Sequence, residues 1–364
     1  MPRRKLSKWC KLLFILSTGS IVLFQVLSSL SDIKENILRG VHPDVPSYLQ
    51  DFVIYEASAK QALINLIAWS EDHGLTLPLF PNRLMDTSLT PPRICVAIST
   101  AVRANTPFTY LIQAVSALLN RMNYSQYKDL VYIHVFNTAD RIEAHQQLPV
   151  VRQLVPVTTI NKKRFAHPIP RKYQEELDAA QIYRLVHRMK CDYSLFIEDD
   201  ALAKNEWIDS VLSAISYIEQ MDSTTDPWLI IKLFCTHKNQ PFDCPPPENL
   251  SRDRYQDFNL VAAIINRDYL IQLADYFDAV ITQAVDEKDF DRFIAKDLEL
   301  EKFRRENSLS GFCLEPVVFQ HTGIFSSIVE RGPDRWSVNQ WYMKAPCFPS
   351  EAEPILFNSS LWLM

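Results

Sequence analysis

Asp192-Tyr193-Ser194-Leu195-Phe196-Ile197-Glu198-Asp199-Asp200 is the stretch that decides the fold class of this chain. Tyr193 to Ile197 is a short, bounded apolar run, the pattern of a buried strand. It leads straight into three carboxylates. Like charges side by side repel, and burying them without partners is costly. Acids at a strand's end therefore call for a cation, and an oxygen donor set suits a hard divalent ion, Mn²⁺ or Mg²⁺. Ligands of open α/β sheets sit beyond the carboxyl ends of the strands. An ion there can hold a diphosphate and stabilise it as it leaves. The alternative is a solvated strand-to-helix turn, or a helix N-terminus with acids in its first turn.

Outward from that strand the pattern alternates. Ile94 to Ser99 is β-branched and reads as a strand, as does Leu130 to Phe136. Between them Pro107 to Arg121 reads as a helix, with Tyr110, Leu111, Ala114, Val115 and Leu118 on one face. Glu175 to Arg188 predicts a second helix, with Leu177, Gln181, Leu185 and Arg188 along it, and Trp207, Val211, Leu212 and Ile215 mark a third. Leu229 to Phe234 and Leu260 to Ile265 are further strands. Strand and helix in alternation imply an α/β fold, a mostly parallel sheet flanked by crossover helices.

The composition excludes several classes. The net charge is −5, from 38 basic and 43 acidic residues, which argues against nucleic acid as a partner. Only six glycines occur, and neither the dinucleotide fingerprint nor the P-loop is present. Bound phosphates would have to be held by a metal and by basic side chains.

Arg3, Arg4, Lys5, Lys8 and Lys11 precede the uncharged run Leu12–Leu30, close to the ~20 apolar residues that span a bilayer. Positive residues stay cytoplasmic, so this reads as a type II signal anchor with the rest of the chain luminal. A cleaved signal peptide is the alternative. Asn123, Asn249 and Asn358 each open an Asn-x-Ser sequon, which fits luminal exposure. Of seven cysteines, Cys10 lies beside the anchor. Cys235 with Cys244 is the favoured pair, closing a Pro-containing loop, and Cys95 reads as a buried free thiol in a core strand. The expected domains are a tail (1–11), the anchor (12–30), a stem (31–92), a catalytic domain (93–345) and a C-terminal tail (346–364). Within the stem, Phe52 to Trp69 reads as an amphipathic helix that packs on the catalytic domain or pairs with another copy.

Several residues are candidates for chemistry. Ser99, Thr100 and Arg103 lie at the end of the first strand, where a nucleotide would lie, and Arg103 can grip a phosphate with two donors. Lys162-Lys163-Arg164, followed by Arg171 and Lys172, is either a solvated basic loop or a flap over a diphosphate. Lys296-Asp297 opens an acid-rich helical stretch, and a carboxylate here can take a proton from an acceptor hydroxyl. Asp289, Asp291, Glu299 and Glu301 are equally acidic neighbours. His321, in Gln320-His321-Thr322-Gly323-Ile324-Phe325-Ser326-Ser327, is a candidate metal ligand, diphosphate donor or structural histidine. Gly323 allows the backbone to turn close to a ligand.

The strand ending in Glu198-Asp199-Asp200, the Lys172 to Tyr183 helix and the closing His-Thr-Gly-Ile-Phe-Ser-Ser resemble Golgi glycosyltransferases of GT-A (Rossmann-like) fold, over about Ile94 to Ser327. Two families share these signposts: the post-GPI-attachment N-acetylgalactosaminyltransferases and the N-acetylglucosaminyltransferase IV family of N-glycan branching enzymes. Lys232-Leu233 and Lys296-Asp297-Leu298 look closer to the former. Members of that family carry an inserted hydrophobic hairpin, whereas here Arg267, Asp268, Asp275 and Asp278 interrupt every apolar run of the corresponding region. The resemblance implies an inverting transfer of a hexosamine from a UDP-sugar. UDP-GalNAc onto a GPI mannose is the first choice and UDP-GlcNAc onto an N-glycan mannose the second, in the Golgi or ER membrane. It implies Asp200 and His321 at Mn²⁺ (or Mg²⁺), with Glu198, Asp199, Thr100, Arg103 and Lys172 contacting the donor and Asp297 as the base. A luminal glycan-binding protein without activity and a two-carboxylate hydrolase are readings from other classes.

Overall fold

The computed structural model describes residues 48–84, 92–103, 109–139, 145–163, 165, 168–221, 227–235, 249–252, 260–288, 295–315, 317–322 and 355–362. The anchor (12–30), Arg164, Cys244, Asp289, Asp291 and Gly323 through Ser327 lie outside them. Among the described residues no helix is long and apolar enough to cross a membrane. The chain divides into two units, 1–57 and 58–364. Everything below concerns the second.

The long helix α1 spans Tyr48–Asp72. From Ser58 onward its apolar face is buried through Ala59, Leu63 and Leu66, and Ser116 Oγ donates to Ala59 O at 3.0 Å. This stem helix therefore packs on the α/β body. Trp69 meets Trp362, whose ring stacks on Tyr124 at 4.5 Å.

β1 (Ile94–Thr100) is followed by α2 (Tyr110–Asn120), β2 (Val131–Asn137) and β3 (Val157–Thr159). Next come α3 (Arg171–Arg188), β4 (Tyr193–Glu198), β5 (Ala201–Ala203), α4 (Trp207–Glu219), β6 (Trp228–Lys232) and β7 (Asn249–Arg252). The chain continues with β8 (Ala262–Asn266), α5 (Leu270–Asp286), α6 (Lys296–Glu306), β9 (Ser310–Glu315) and β10 (Phe319–His321). The eight-stranded sheet has the order β3-β2-β1-β4-β8-β6-β9-β7. The half from β3 to β4 is parallel, as the alternation predicts. The other half is mixed: β8 runs antiparallel to both β4 and β6, β6 and β9 are parallel, and β7 is antiparallel to β9. Four of the seven strand pairings are parallel, so the sheet is mostly parallel as expected, with the antiparallel pairings confined to β8 and β7. Runs such as Ile94 to Ile98 and Leu229 to Ile231 are apolar at every position because helices and loops cover both sheet faces, and they are fully buried.

α5 packs on α3 through Tyr173, Leu177, Val280, Ile281 and Ala284. Arg184 pairs across this contact with Asp275 and Asp278, each at 2.7 Å. Asp275 and Asp278, two of the charges that break the region's apolar runs, therefore lie on the polar face of an amphipathic helix, and Arg267 and Asp268 lie in the 3-10 turn before it.

The cysteine expectations are corrected. Cys95 is paired with Cys191 and Cys235 with Cys313, with Cα separations of 5.8 and 6.2 Å. Both bridges join segments that are neighbours in the sheet and distant in sequence, so spacing along the chain could not reveal them.

Candidate active site at the carboxyl edge of the sheet

Register builds the site. β1 pairs with β4 so that Ser99 lies opposite Glu198. Thr100 and Asp199 then leave the sheet side by side at its carboxyl edge. The chain turns at Asp199-Asp200 into β5, which pairs antiparallel with β10, placing His321 opposite Ala201. Thr322 fixes this corner, since its N–H and its hydroxyl both donate to Asp200 O at 2.8 Å. Glu198 N–H donates to Val261 O at 2.9 Å. Three separate stretches of sequence therefore converge on one acidic corner.

Asp199 and Asp200 are 5% and 4% exposed, so each needs a partner. Arg103 supplies it, reaching Asp199 Oδ1 at 2.5 Å and Asp200 Oδ2 at 2.8 Å. Thr100 Oγ1 donates to Asp199 Oδ2 at 2.6 Å. With its only proton spent there, the hydroxyl accepts from His145 Nε2 at 2.7 Å. His145 lies in a loop and is 4% exposed. Burial pushes its imidazole down, with Asp199 opposing. Sequence reasoning missed His145, a lone histidine in a polar loop with no motif around it.

His321 Nε2 lies 3.3 Å from Asp200 Oδ2. Burial disfavours the charge on each, but the attraction between them and the Arg103 charge prevail at Asp200, which stays well below the usual carboxylate range. His321 is raised by Asp200 against its burial. Two atoms of this pair, Asp200 Oδ1 and His321 Nδ1, are buried without a hydrogen-bond partner. Glu198 is held by Lys296 Nζ through an ion pair to Oε1. Burial of that ammonium is outweighed by Glu198, so Lys296 is raised. Asp297, next along in the first turn of α6, accepts from Leu298 N–H at 3.1 Å. Burial raises its carboxyl, with Lys296 opposing.

Glu198, Asp200 and His321 each offer one ligand atom, and these atoms lie within 4.8 Å of one another. Ligands opposite each other on an octahedral Mg²⁺-sized ion are about 4.2 Å apart. Adjacent ligands are about 3.0 Å apart, so the set would hold a divalent ion once the side chains draw in, and the orphaned Asp200 Oδ1 is an atom such an ion would satisfy. The acidic triplet thus divides, with Glu198 and Asp200 in the ligand set and Asp199 tied to Thr100 and Arg103. Arg103 engages both aspartates of the triplet.

The remaining candidates lie elsewhere. Lys172 stands in the first turn of α3, its ammonium 5.1 Å from the Tyr173 ring centre. Lys162 bonds Asp178 at 3.1 Å and Lys163 lies 3.8 Å from Asp278. That basic loop is pinned to α3 and α5. Glu299 bonds Tyr276 and Glu301 bonds Arg304 and Arg305, so both belong to the packing of α6.

No family model matches the chain, and no curated protein matches it. Comparison with solved structures finds partial, low-scoring likenesses. An active-site mutant of LgtC is 14% identical, with a TM-score of 0.33 over 60% of this chain and 71% of the other. The apo glycosyltransferase GlyE of Streptococcus pneumoniae TIGR4 is 14% identical, with a TM-score of 0.30 over 61% of this chain and 45% of GlyE. A glycosyltransferase involved in glycosylating the major capsid of PBCV-1 is 10% identical, with a TM-score of 0.31 over 60% and 77%. Scores at that level decide nothing about chemistry, and the functional reading rests on the site.

Proposed function

We propose that the chain is a metal-dependent glycosyltransferase that takes a hexosamine from a UDP-sugar. The observation that carries this reading is the Glu198–Asp200–His321 set at the carboxyl edge of the sheet, with Asp200 Oδ1 buried and unsatisfied. Those three residues would hold Mn²⁺ or Mg²⁺, whose chemistry is to neutralise charge on a leaving diphosphate.

This chain's own residues do the rest. Arg103, at the same corner, would turn a guanidinium toward the diphosphate. Thr100 and His145 keep Asp199 fixed while that happens. Asp297 takes the proton of the acceptor hydroxyl, and its raised carboxyl makes it a stronger base than a solvated aspartate. The acceptor oxygen bonds to the anomeric carbon from one face as the carbon–phosphate oxygen bond breaks on the other. UDP leaves with the electron pair, and the configuration inverts.

The donor is UDP-GalNAc first and UDP-GlcNAc second, and the acceptor is a mannose of a GPI or N-linked glycan. The setting is the Golgi or ER lumen, with the catalytic domain at 93–345 behind a stem and a signal anchor. The two buried disulfides favour an oxidising compartment. The test offers the full chain a panel of UDP-sugars with Mn²⁺ and measures UDP release with and without mannosides. Release from one hexosamine donor that depends on the metal supports the reading. Mn²⁺ and UDP that neither react nor raise the melting temperature leave only a closed ion-pair cluster, and the proposal fails.

A further inference from the structure

A second carboxyl group stands behind the site and takes no part in the mechanism above. On α3, Glu176, Ala179 and Tyr183 share one face by their spacing. Ala179 and Tyr183 line a cavity of about 50 Å³, together with Phe196, Ala263 and Ile265, and its polar end is Glu198 and Lys296. Glu176 lies one turn before Ala179. It is 2% exposed, and its Oε2 is buried without a hydrogen-bond partner. Burial pushes its carboxyl up to about 8. The charged groups that act on it are Glu175 on its own helix, which adds to the rise, and Lys296 and Asp297 on α6, the first opposing and the second adding.

We infer that Glu176 is a positioning residue of this site, competing with Glu198 for Lys296, so that the site stays assembled only while Glu176 carries its proton. The inference rests on the transferase reading given above. A buried carboxylate with one oxygen unpaired is costly to ionise, and a cation within its field is Lys296. As the neutral acid, Glu176 leaves Lys296 on Glu198. Once ionised, it draws the ammonium toward itself, loosens Glu198 and adds a like charge beside Asp297.

The test compares the full-length wild type with Glu176→Gln, which keeps the shape of the neutral acid. UDP release with Mn²⁺ is followed from pH 6 to 9. In the wild type the rate falls through an alkaline limb centred near 8, reaching about a tenfold loss one unit above it. E176Q lacks that limb. An infrared difference between the two proteins at neutral pH shows a protonated-carboxyl band that titrates along with the limb. Thermal melts supply a readout that needs no substrate. The folded carboxyl is raised above its ordinary value of 4.5, so its contribution to stability is present at acid pH and is lost as pH rises toward 8. Melting temperature therefore declines more steeply over that range in wild type than in E176Q. An identical limb in both proteins, or no protonated band at neutral pH, overturns the inference. If no UDP-sugar is turned over by the wild type, the transferase reading falls. The band and the melts then decide whether Glu176 holds its proton against Lys296.

Discussion

The two sides of the acidic corner differ in how far their polar atoms are satisfied. On the β1 side, both oxygens of Asp199 are taken, one by Arg103 and one by Thr100, and Thr100 is in turn held by His145. On the β10 side, Asp200 Oδ1 and His321 Nδ1 are buried and unpaired, and Glu198 hangs on the single cation of Lys296. A saturated network holds a shape. An unsaturated one, in a place where buried polar atoms are ordinarily paired, is where something else is expected to bind. Under the proposed function, the contrast would make Asp199 a structural residue and Asp200 a ligand, although the two are chain neighbours of the same residue type.

The sharpest way to break this contrast is to remove function from the unsaturated side alone. Asp200→Asn leaves Arg103 on Asp199, so the fold persists, while metal-dependent UDP release drops by on the order of 10²–10⁴-fold, the several kcal/mol that a Lewis acid supplies. Asp297→Asn is expected to cost about 10²–10⁴-fold in the same assay through loss of the base, with Mn²⁺ binding retained. Full activity in Asp200→Asn, measured alongside an unchanged melt, would remove the metal from the mechanism.

Arg103 belongs to both sides, and its removal tests the charge balance between them. Arg103→Ala strands Asp199 and Asp200 at 5% and 4% exposure. Breaking a buried pair in this way costs about 3–5 kcal/mol, read from urea unfolding. Added Mn²⁺ restores part of that loss if Asp200 belongs to a metal site. Equal instability with and without the ion would mean that the two acids need only the guanidinium.

What the sequence made legible follows from the same contrast. The β1 and β4 strands, the α2, α3 and α4 helices and the acids at the carboxyl edge could all be read, because each is written in a local period or a contiguous run. β5 and β10 could not, since three residues carry no period, and yet their pairing is what sets His321 beside Asp200. α5 was hidden by charges that interrupt its apolar residues on a line but not on a helix. The antiparallel direction of β8 is set by its pairing with β4 and β6, which an apolar run such as Val261 to Ile265 does not encode. The disulfide partners and His145 escaped for a common reason: their meaning lies in contacts across the fold, with sequence separations of 96 and 78 for the two bridges. Composition alone does not separate Asp199 from Asp200; only the family resemblance puts Asp200 at the metal and Asp199 at the donor, and their different neighbours in space appear only in the fold.

The saturated side offers the finest test. In Thr100→Val the hydroxyl that links His145 to Asp199 is replaced by a methyl group of nearly the same size. Asp199 Oδ2 loses its donor and His145 Nε2 its acceptor, both in a buried setting, which costs about 1–3 kcal/mol. Thr100→Ser keeps the hydroxyl and costs less, so the pair of variants separates the hydrogen bonds from the packing. Asp199 remains anchored by Arg103, and the metal-binding side is untouched. The expected result is therefore a lowered urea midpoint in Thr100→Val with Mn²⁺ affinity close to wild type. Were Mn²⁺ affinity to collapse in Thr100→Val while stability held, Thr100 and Asp199 would belong to the ligand-bearing side and the division of the corner would have to be drawn elsewhere.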